Sequence, residues 1–144
     1  AQSGTCLADL GSGAGFPGVP VAIVAPSAEV HLIEPRRKRA NFLREVVRQV
    51  QLPNAVVHEG RAEDIAQQSP QHYDVTVARA VWDTDTLLAV SADLLRPQGR
   101  AIAMHSTQQH ANAPQHVPPY ITATRVPYTL PHGVERALTV YSKA

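Results

Sequence analysis

The stretch Asp9-Leu10-Gly11-Ser12-Gly13-Ala14-Gly15-Phe16-Pro17-Gly18 decides how this chain is read. Before it, Thr5 to Leu10 is a short apolar run, the mark of a buried strand. After it, Gly18 to Ala25 follows a helical pattern closed by Pro26. Glycines between a strand and a helix let the chain turn tightly. They also let its backbone approach a ligand with no side chain in the way. One acid, Asp9, heads the turn, and a second, Glu34, closes the next strand-like run, Glu29 to Glu34. A carboxylate at that place accepts hydrogen bonds from both hydroxyls of a ribose. The plainer alternative is that Glu34 caps the helix that follows it.

Outward from this motif the chain alternates. The run Arg36 to Val50 is the clearest helix, with Leu43, Val46, Val47 and Val50 at the spacing of one buried face. Further strands are predicted over Ala55 to His58, Tyr73 to Ala78 and Arg100 to Met104. Helices are predicted over Ala62 to Gln68 and Thr84 to Leu95, and a turn over Pro97-Gln98-Gly99. Such alternation builds a mostly parallel sheet covered on both faces, here with the order 3-2-1-4-5. The tail differs. His105 to Pro119 reads as a loop, then Tyr120 to Thr129 and Ala137 to Ser142 read as two strands around Pro131-His132-Gly133. The expected fold is therefore α/β and Rossmann-like: a mostly parallel sheet with an antiparallel C-terminal strand pair. That finish is more typical of class I S-adenosylmethionine-dependent methyltransferases than of nicotinamide-binding domains.

The turn itself separates two ligands. A dinucleotide needs its pyrophosphate at the helix N-terminus, and Phe16 and Pro17 fill the place where it would enter. An adenosine-sulfonium ligand carries no phosphate and tolerates an apolar turn, and Asp9 would favour its cationic end. S-adenosylmethionine is the expected cofactor, with Asp9, Gly11, Gly13, Gly15, Phe16 and Glu34 around it.

Two further motifs fall at strand ends, where ligands of open α/β sheets bind. Gly60-Arg61-Ala62-Glu63-Asp64 follows the third strand. Amides near Ala62 and an acid at Glu63 or Asp64 suit an adenine amine, although acids in a first helical turn also serve as caps. Arg79 leaves the end of the fourth strand. A charge leaving a buried strand needs a partner or a ligand, so Arg79 either holds cofactor or substrate, as the candidate catalytic residue, or pairs with Asp9 or Asp83.

Composition bounds the rest. The chain has 144 residues, 44% hydrophobic and 17% charged, with a net charge of +1. That is the size and balance of one globular domain. The single cysteine, Cys6, permits no internal disulfide and fits a reducing, cytoplasmic setting. It lies inside the first strand and reads as a small buried hydrophobe. No apolar run reaches the length of a membrane helix. Four successive cations, Arg36, Arg37, Lys38 and Arg39, are either a solvated helical turn or a nucleic-acid contact. His105, His110 and His116 lack the spacing of a metal site, and no metal ligand is assigned.

Taken together, DLGSGAGFPGVPVAI, KRANFLREVV, the RAED of Arg61 to Asp64, the ARAV of Ala78 to Val81 and the closing YTLPHGVERALTVYSK resemble one family. It is the bacterial 16S rRNA guanine-N7 methyltransferase G family, also called glucose-inhibited division protein B. The resemblance runs over nearly the whole chain. It implies methyl transfer from S-adenosylmethionine to guanine N7, with 16S rRNA or the small ribosomal subunit as partner. It places Gly11, Phe16, Ala62, Glu63 and Arg79 on the cofactor. RNA contacts are expected from cations near the same sheet edge, Arg36, Arg37 and Arg136 foremost. The family has a helical region ahead of its first strand, so residues 1–144 are expected to be a single cofactor-binding domain without that region.

Overall fold

The fold is described from a computed structural model, which covers residues 4–79, 82–106 and 114–144. Seven strands form one sheet: β1 (Cys6–Leu10), β2 (Glu29–Glu34), β3 (Ala55–Glu59), β4 (Tyr73–Arg79), β5 (Leu95–Ser106), β6 (Tyr120–Thr129) and β7 (Glu135–Lys143). The helices are α1 (Gly18–Val24), α2 (Arg37–Val50), α3 (Ala62–Gln68) and α4 (Thr84–Leu94). Strand order is β3-β2-β1-β4-β5-β7-β6. The first five strands are parallel in the order read from the sequence. β7 lies antiparallel to both β5 and β6.

β2 shows why the sheet needs cover on both faces. Val30 to Glu34 are all buried, and successive side chains point to opposite faces. Val30 and Leu32 pack with Ala22 of α1 and Leu43 of α2. Ile33 packs on the other face with Ala62, Ile65 and Ala66 of α3 and with Leu87, Leu88 and Leu94 of α4. A fully buried leucine such as Leu43 or Leu94 contributes on the order of 1.5–3 kcal/mol relative to an exposed one.

Four details depart from the sequence reading. In α2 the buried stripe is Ala40 and Leu43, with Val47 half-buried, whereas Val50 is 49% exposed. Val50 is the last residue of the helix, and Gln51 after it takes the left-handed conformation. Pro97-Gln98-Gly99 does not break the chain into a separate turn but sits inside β5. Leu95 already pairs with Tyr73, the register then shifts, and Gln98 has φ 67°. His105 belongs to β5, not to a loop, because its neighbours on both sides pair with β7. β7 itself starts two residues before the expected Ala137. Ala80, Val81, His110 and the centre of the expected loop lie outside the described residues.

Candidate functional site

The glycine loop sits at the carboxyl ends of β1 and β2, where their parallel pairing runs out. The amides of Gly11 and Ser12 both donate to the carbonyl of Ile33, at 2.8 and 3.1 Å. This ties the loop to β2 one residue before Glu34. Gly11, Gly13 and Gly15 have φ of 69°, 56° and 100°, a region that L side chains avoid. Gly15 has a second constraint: a Cβ there would stand 2.8 Å from Val19 Cγ2 and 3.3 Å from Leu43. The loop thus packs directly on α1 and α2.

Glu34 is 3% exposed. Its Oε2 accepts the Gly13 amide at 3.0 Å and its Oε1 accepts the Arg36 amide at 3.2 Å. One carboxylate therefore braces the loop and the start of α2 together. Each oxygen keeps a further lone pair for a ligand. The two sequence readings of Glu34, ligand acceptor and cap, are compatible in this geometry.

Two clefts share Gly11 in their lining. The smaller, about 170 Å³, is lined by Ile33, Pro35, Arg61, Ala62, Glu63 and Trp82. Its walls are largely apolar and aromatic, and it has room for a flat heterocycle. Arg61 Nε stands 3.9 Å from Glu63, which keeps that acid at the mouth. The larger, about 500 Å³, is lined by the loop from Gly11 to Ala14, by Phe16, and by Lys38, Arg39, Phe42 and Arg79. Three cations on one wall favour an anionic group there.

The structure thus brings Gly11, Gly13, Phe16, Ala62, Glu63 and Arg79 onto the two clefts, while Glu34 is buried and reaches them through its bond to the Gly13 amide. Asp9 and Gly15 lie beneath the loop. Asp9 is 1% exposed and its Oδ2 accepts the Gly18 amide at 3.0 Å. Burial pushes its carboxyl up to about 6, against the lowering effects of the Gly18 and Ser12 hydrogen bonds and of the Arg79 charge. Asp83 is taken by the α4 cap, accepting the Thr86 amide at 2.8 Å. Arg79 is exposed and makes no ion pair within 4.0 Å among the described residues; its long-range attraction to Asp9 remains.

Arg36 and Arg37, both exposed, stand at the start of α2. Arg136 pairs across the sheet with Ser106, the last residue of β5, and so lies at the same sheet edge. Sequence reasoning did not place Pro35, Arg61 or Trp82 on a cleft, and counted Lys38 and Arg39 only as part of a charge run. Phe42 was missed altogether. The available signal was helical spacing, since Lys38, Arg39 and Phe42 share one face of α2 over its first turns.

These residues fit an adenosine-bearing ligand with a charged tail: an apolar slot, a buried acid bonded to the glycine loop, and cations on the second cleft.

Comparison with known proteins agrees. The family described as "GidB: rRNA small subunit methyltransferase G" matches residues 1–140. Similar proteins include two named ribosomal RNA small subunit methyltransferase G. One, from Xanthomonas axonopodis pv. citri, is 45% identical over 72% of this chain and 48% of its own length. The other, from Xanthomonas euvesicatoria pv. vesicatoria, is 46% identical over 75% and 50%. This chain therefore spans about half the length of the curated relatives it matches. Among solved structures, a SAM-dependent O-methyltransferase from Thermotoga maritima superposes with a TM-score of 0.70 at 17% identity, covering 99% of this chain and 60% of that one. A SAM-dependent methyltransferase from Aquifex aeolicus gives 0.72 at 15%, covering 99% and 84%. At such identities the likeness is one of fold. Among the described residues no helix is long and apolar enough to cross a membrane.

Proposed function

We propose that this chain, which belongs to the rRNA small subunit methyltransferase G family, binds S-adenosylmethionine at the glycine loop and transfers its methyl group to N7 of a guanine in 16S rRNA. The observation that carries the reading is the buried Glu34 carboxylate, which holds the amide of Gly13 in the cationic cleft and is flanked in the chain by Ile33 and Pro35 of the apolar slot. Ile33, Pro35, Ala62 and Trp82 would take the adenine, with Glu63 at its exocyclic amine. Glu34 would accept the ribose hydroxyls while still holding the Gly13 and Arg36 amides. Gly11, Gly13 and Phe16 would border the amino-acid tail, over a floor set by Asp9 and Gly15.

When bound, the cofactor supplies an electrophilic methyl group on a sulfonium. Guanine N7 carries no proton, so the chain needs no general base, and its work is positioning. Arg79, at the end of β4, would act as the catalytic residue by orienting the base or the cofactor carboxylate. Arg36, Arg37 and Arg136 would hold phosphates of 16S rRNA within the small ribosomal subunit, and a cytoplasmic location belongs to the same proposal.

The test is methyl transfer from labelled cofactor to small ribosomal subunits and to free nucleosides, beside calorimetry with S-adenosylmethionine and NAD. Transfer to the subunit alone supports the reading. Cofactor binding without transfer to any substrate would reduce the chain to a binding domain, and tight NAD binding would overturn the cofactor.

A further inference from the structure

The opposite, amino edge of the sheet carries a cluster of side chains that the site above does not use. Cys6 opens β1, Glu29 opens β2, and His72 directly precedes β4. β1 lies between the other two strands, and Cys6 pairs in register with Glu29. His31, two residues into β2 from Glu29, points to the same face. Ligand atoms of Cys6, His31 and His72 all lie within 4.8 Å of one another. Cys6 and His31 are buried and His72 is exposed, so the group opens to solvent on one side.

We propose that Cys6, His31 and His72 bind a zinc-class divalent transition-metal ion, with Glu29 as the fourth ligand. One thiolate, two imidazoles and a carboxylate form a donor set that zinc takes in tetrahedral geometry. Glu29 already acts on all three partners. Its Oε1 lies 2.6 Å from His31 Nε2, its charge helps raise the Cys6 thiol, and His72 attracts it. The ion would stand on this Nε2 side of His31. The other ring nitrogen, Nδ1, lies 2.7 Å from His58 Nε2. In the metal-free chain His31 Nε2 donates to the Glu29 carboxylate, so ligation on that side moves the ring proton to Nδ1, where His58 Nε2 stands to accept it. A histidine ligand whose far nitrogen is held in this way has its tautomer and ring orientation fixed. His58 stacks on His31 with ring centroids 4.8 Å apart, and Tyr73 meets the His31 ring edge-on.

Ligand atoms of a tetrahedral zinc site stand about 3.3–3.6 Å apart, so the cluster must tighten by about 1 Å. The exposed His72 is the member able to move. Two acids stand beside Cys6: Asp74 accepts the Cys6 amide at 2.8 Å, and Glu29 is its partner across the β1–β2 pairing. The same negative surroundings attract a dication. Binding displaces the thiol proton to solvent and breaks the His31–Glu29 hydrogen bond, the His31 ring proton passing from Nε2 to Nδ1, so one proton leaves per ion. The ion would tie β1, β2 and the entry to β4 together at the edge away from the glycine loop.

The experiment is titration of the metal-free protein with cobalt(II), followed by zinc competition, with calorimetry in two buffers of different ionisation enthalpy. The expected result is one ion per chain, a near-ultraviolet thiolate-to-cobalt band, release of one proton, and a melting temperature raised by zinc. Cys6→Ser should abolish the band. His72→Ala, at an exposed position that leaves the core intact, should weaken cobalt binding at least tenfold. Should Cys6→Ser fail to fold, His72→Ala decides alone. Absence of the band, or cobalt affinity unchanged in His72→Ala, would overturn the proposal. The second outcome would locate any bound metal elsewhere.

Discussion

The Asp9 carboxylate holds the Gly18 amide at 3.0 Å, across the whole glycine loop, and no room is left between them: a Cβ on Gly18 would stand 2.6 Å from Asp9 Oδ2. Asp9 is thus a strut between β1 and α1, and one with a carboxyl pushed up to about 6 by burial. The unfolded chain, at the ordinary 3.8, gives up this proton first as pH rises. Stability from the protonated group is complete below the unfolded value and is lost as pH climbs through the folded one. Asp9→Asn keeps an oxygen for the Gly18 amide and removes the titration. Chemical denaturation from about pH 4 to about pH 7 should therefore cost the wild type on the order of 2–3 kcal/mol relative to Asp9→Asn. Parallel stability curves for the two proteins would refute this.

Gly15 and Gly133 both have positive φ, but only one is enclosed. Gly15 faces Val19 and Leu43, while nothing lies within 4 Å of a Cβ at Gly133. Gly15→Ala should lose more than about 2 kcal/mol through backbone strain and overpacking. Gly133→Ala should lose only about 1 kcal/mol, from its backbone alone. Thermal melts of the two variants check the order, and equal losses would count against the packing described for the loop.

Glu34→Ala removes an acceptor from the proposed ribose and from two amides at once. Cofactor affinity measured by calorimetry should fall by about 1–3 kcal/mol. An unchanged dissociation constant would place the ribose elsewhere.

The cations of the carboxyl edge should separate by role. An Arg36→Ala/Arg37→Ala double variant should bind RNA more weakly and with a shallower salt dependence, because each lost phosphate contact is one less counterion released. Arg79→Ala should reduce methyl transfer more than RNA affinity. Affinity over a salt series, measured beside transfer rates, gives the answer. A salt slope identical to wild type in the double variant would remove Arg36 and Arg37 from the RNA surface.

Asn54 is a small residue with a long reach. Its Nδ2 lies within 3.3 Å of the carbonyls of Ala22, Ala25 and Ala28, at the end of α1 and the turn into β2. Asn54→Ala takes this donor from the three carbonyls, of which Ala25 keeps the Ala28 amide, and should cost about 1–3 kcal/mol in urea unfolding. A loss below about 0.5 kcal/mol would show that water replaces the amide there.

What was legible in the sequence were the features set by local chemistry. Glycines between an apolar run and a helix mark the loop, and alternation of period marks the parallel layers. Glu34 was visible because strand length fixes where β2 ends. Features set by pairing between distant segments were not legible. Nothing in Lys38, Arg39 or Phe42 says that the loop will lie against that face of α2. Nothing in the spacing of Cys6, His31 and His72 says that strand order will bring them together. Val50 fits the helical repeat of α2, yet it is the helix's last residue and stands exposed. His105 stands in a polar stretch, and it is a strand residue only because β7 returns to pair there.

β7 follows β6 in the chain but lies between β6 and β5 in the sheet, and its Lys143 Nζ donates to the carbonyls of Ala92 and Leu95. During synthesis β6 emerges before β7, the strand it pairs with, so it must wait on the ribosome as an unmatched edge, a template for wrong partners. The parallel half can assemble while translation continues, and closure of the antiparallel half is the late event. Chains stalled just short of β7 should be the ones that chaperones hold longest.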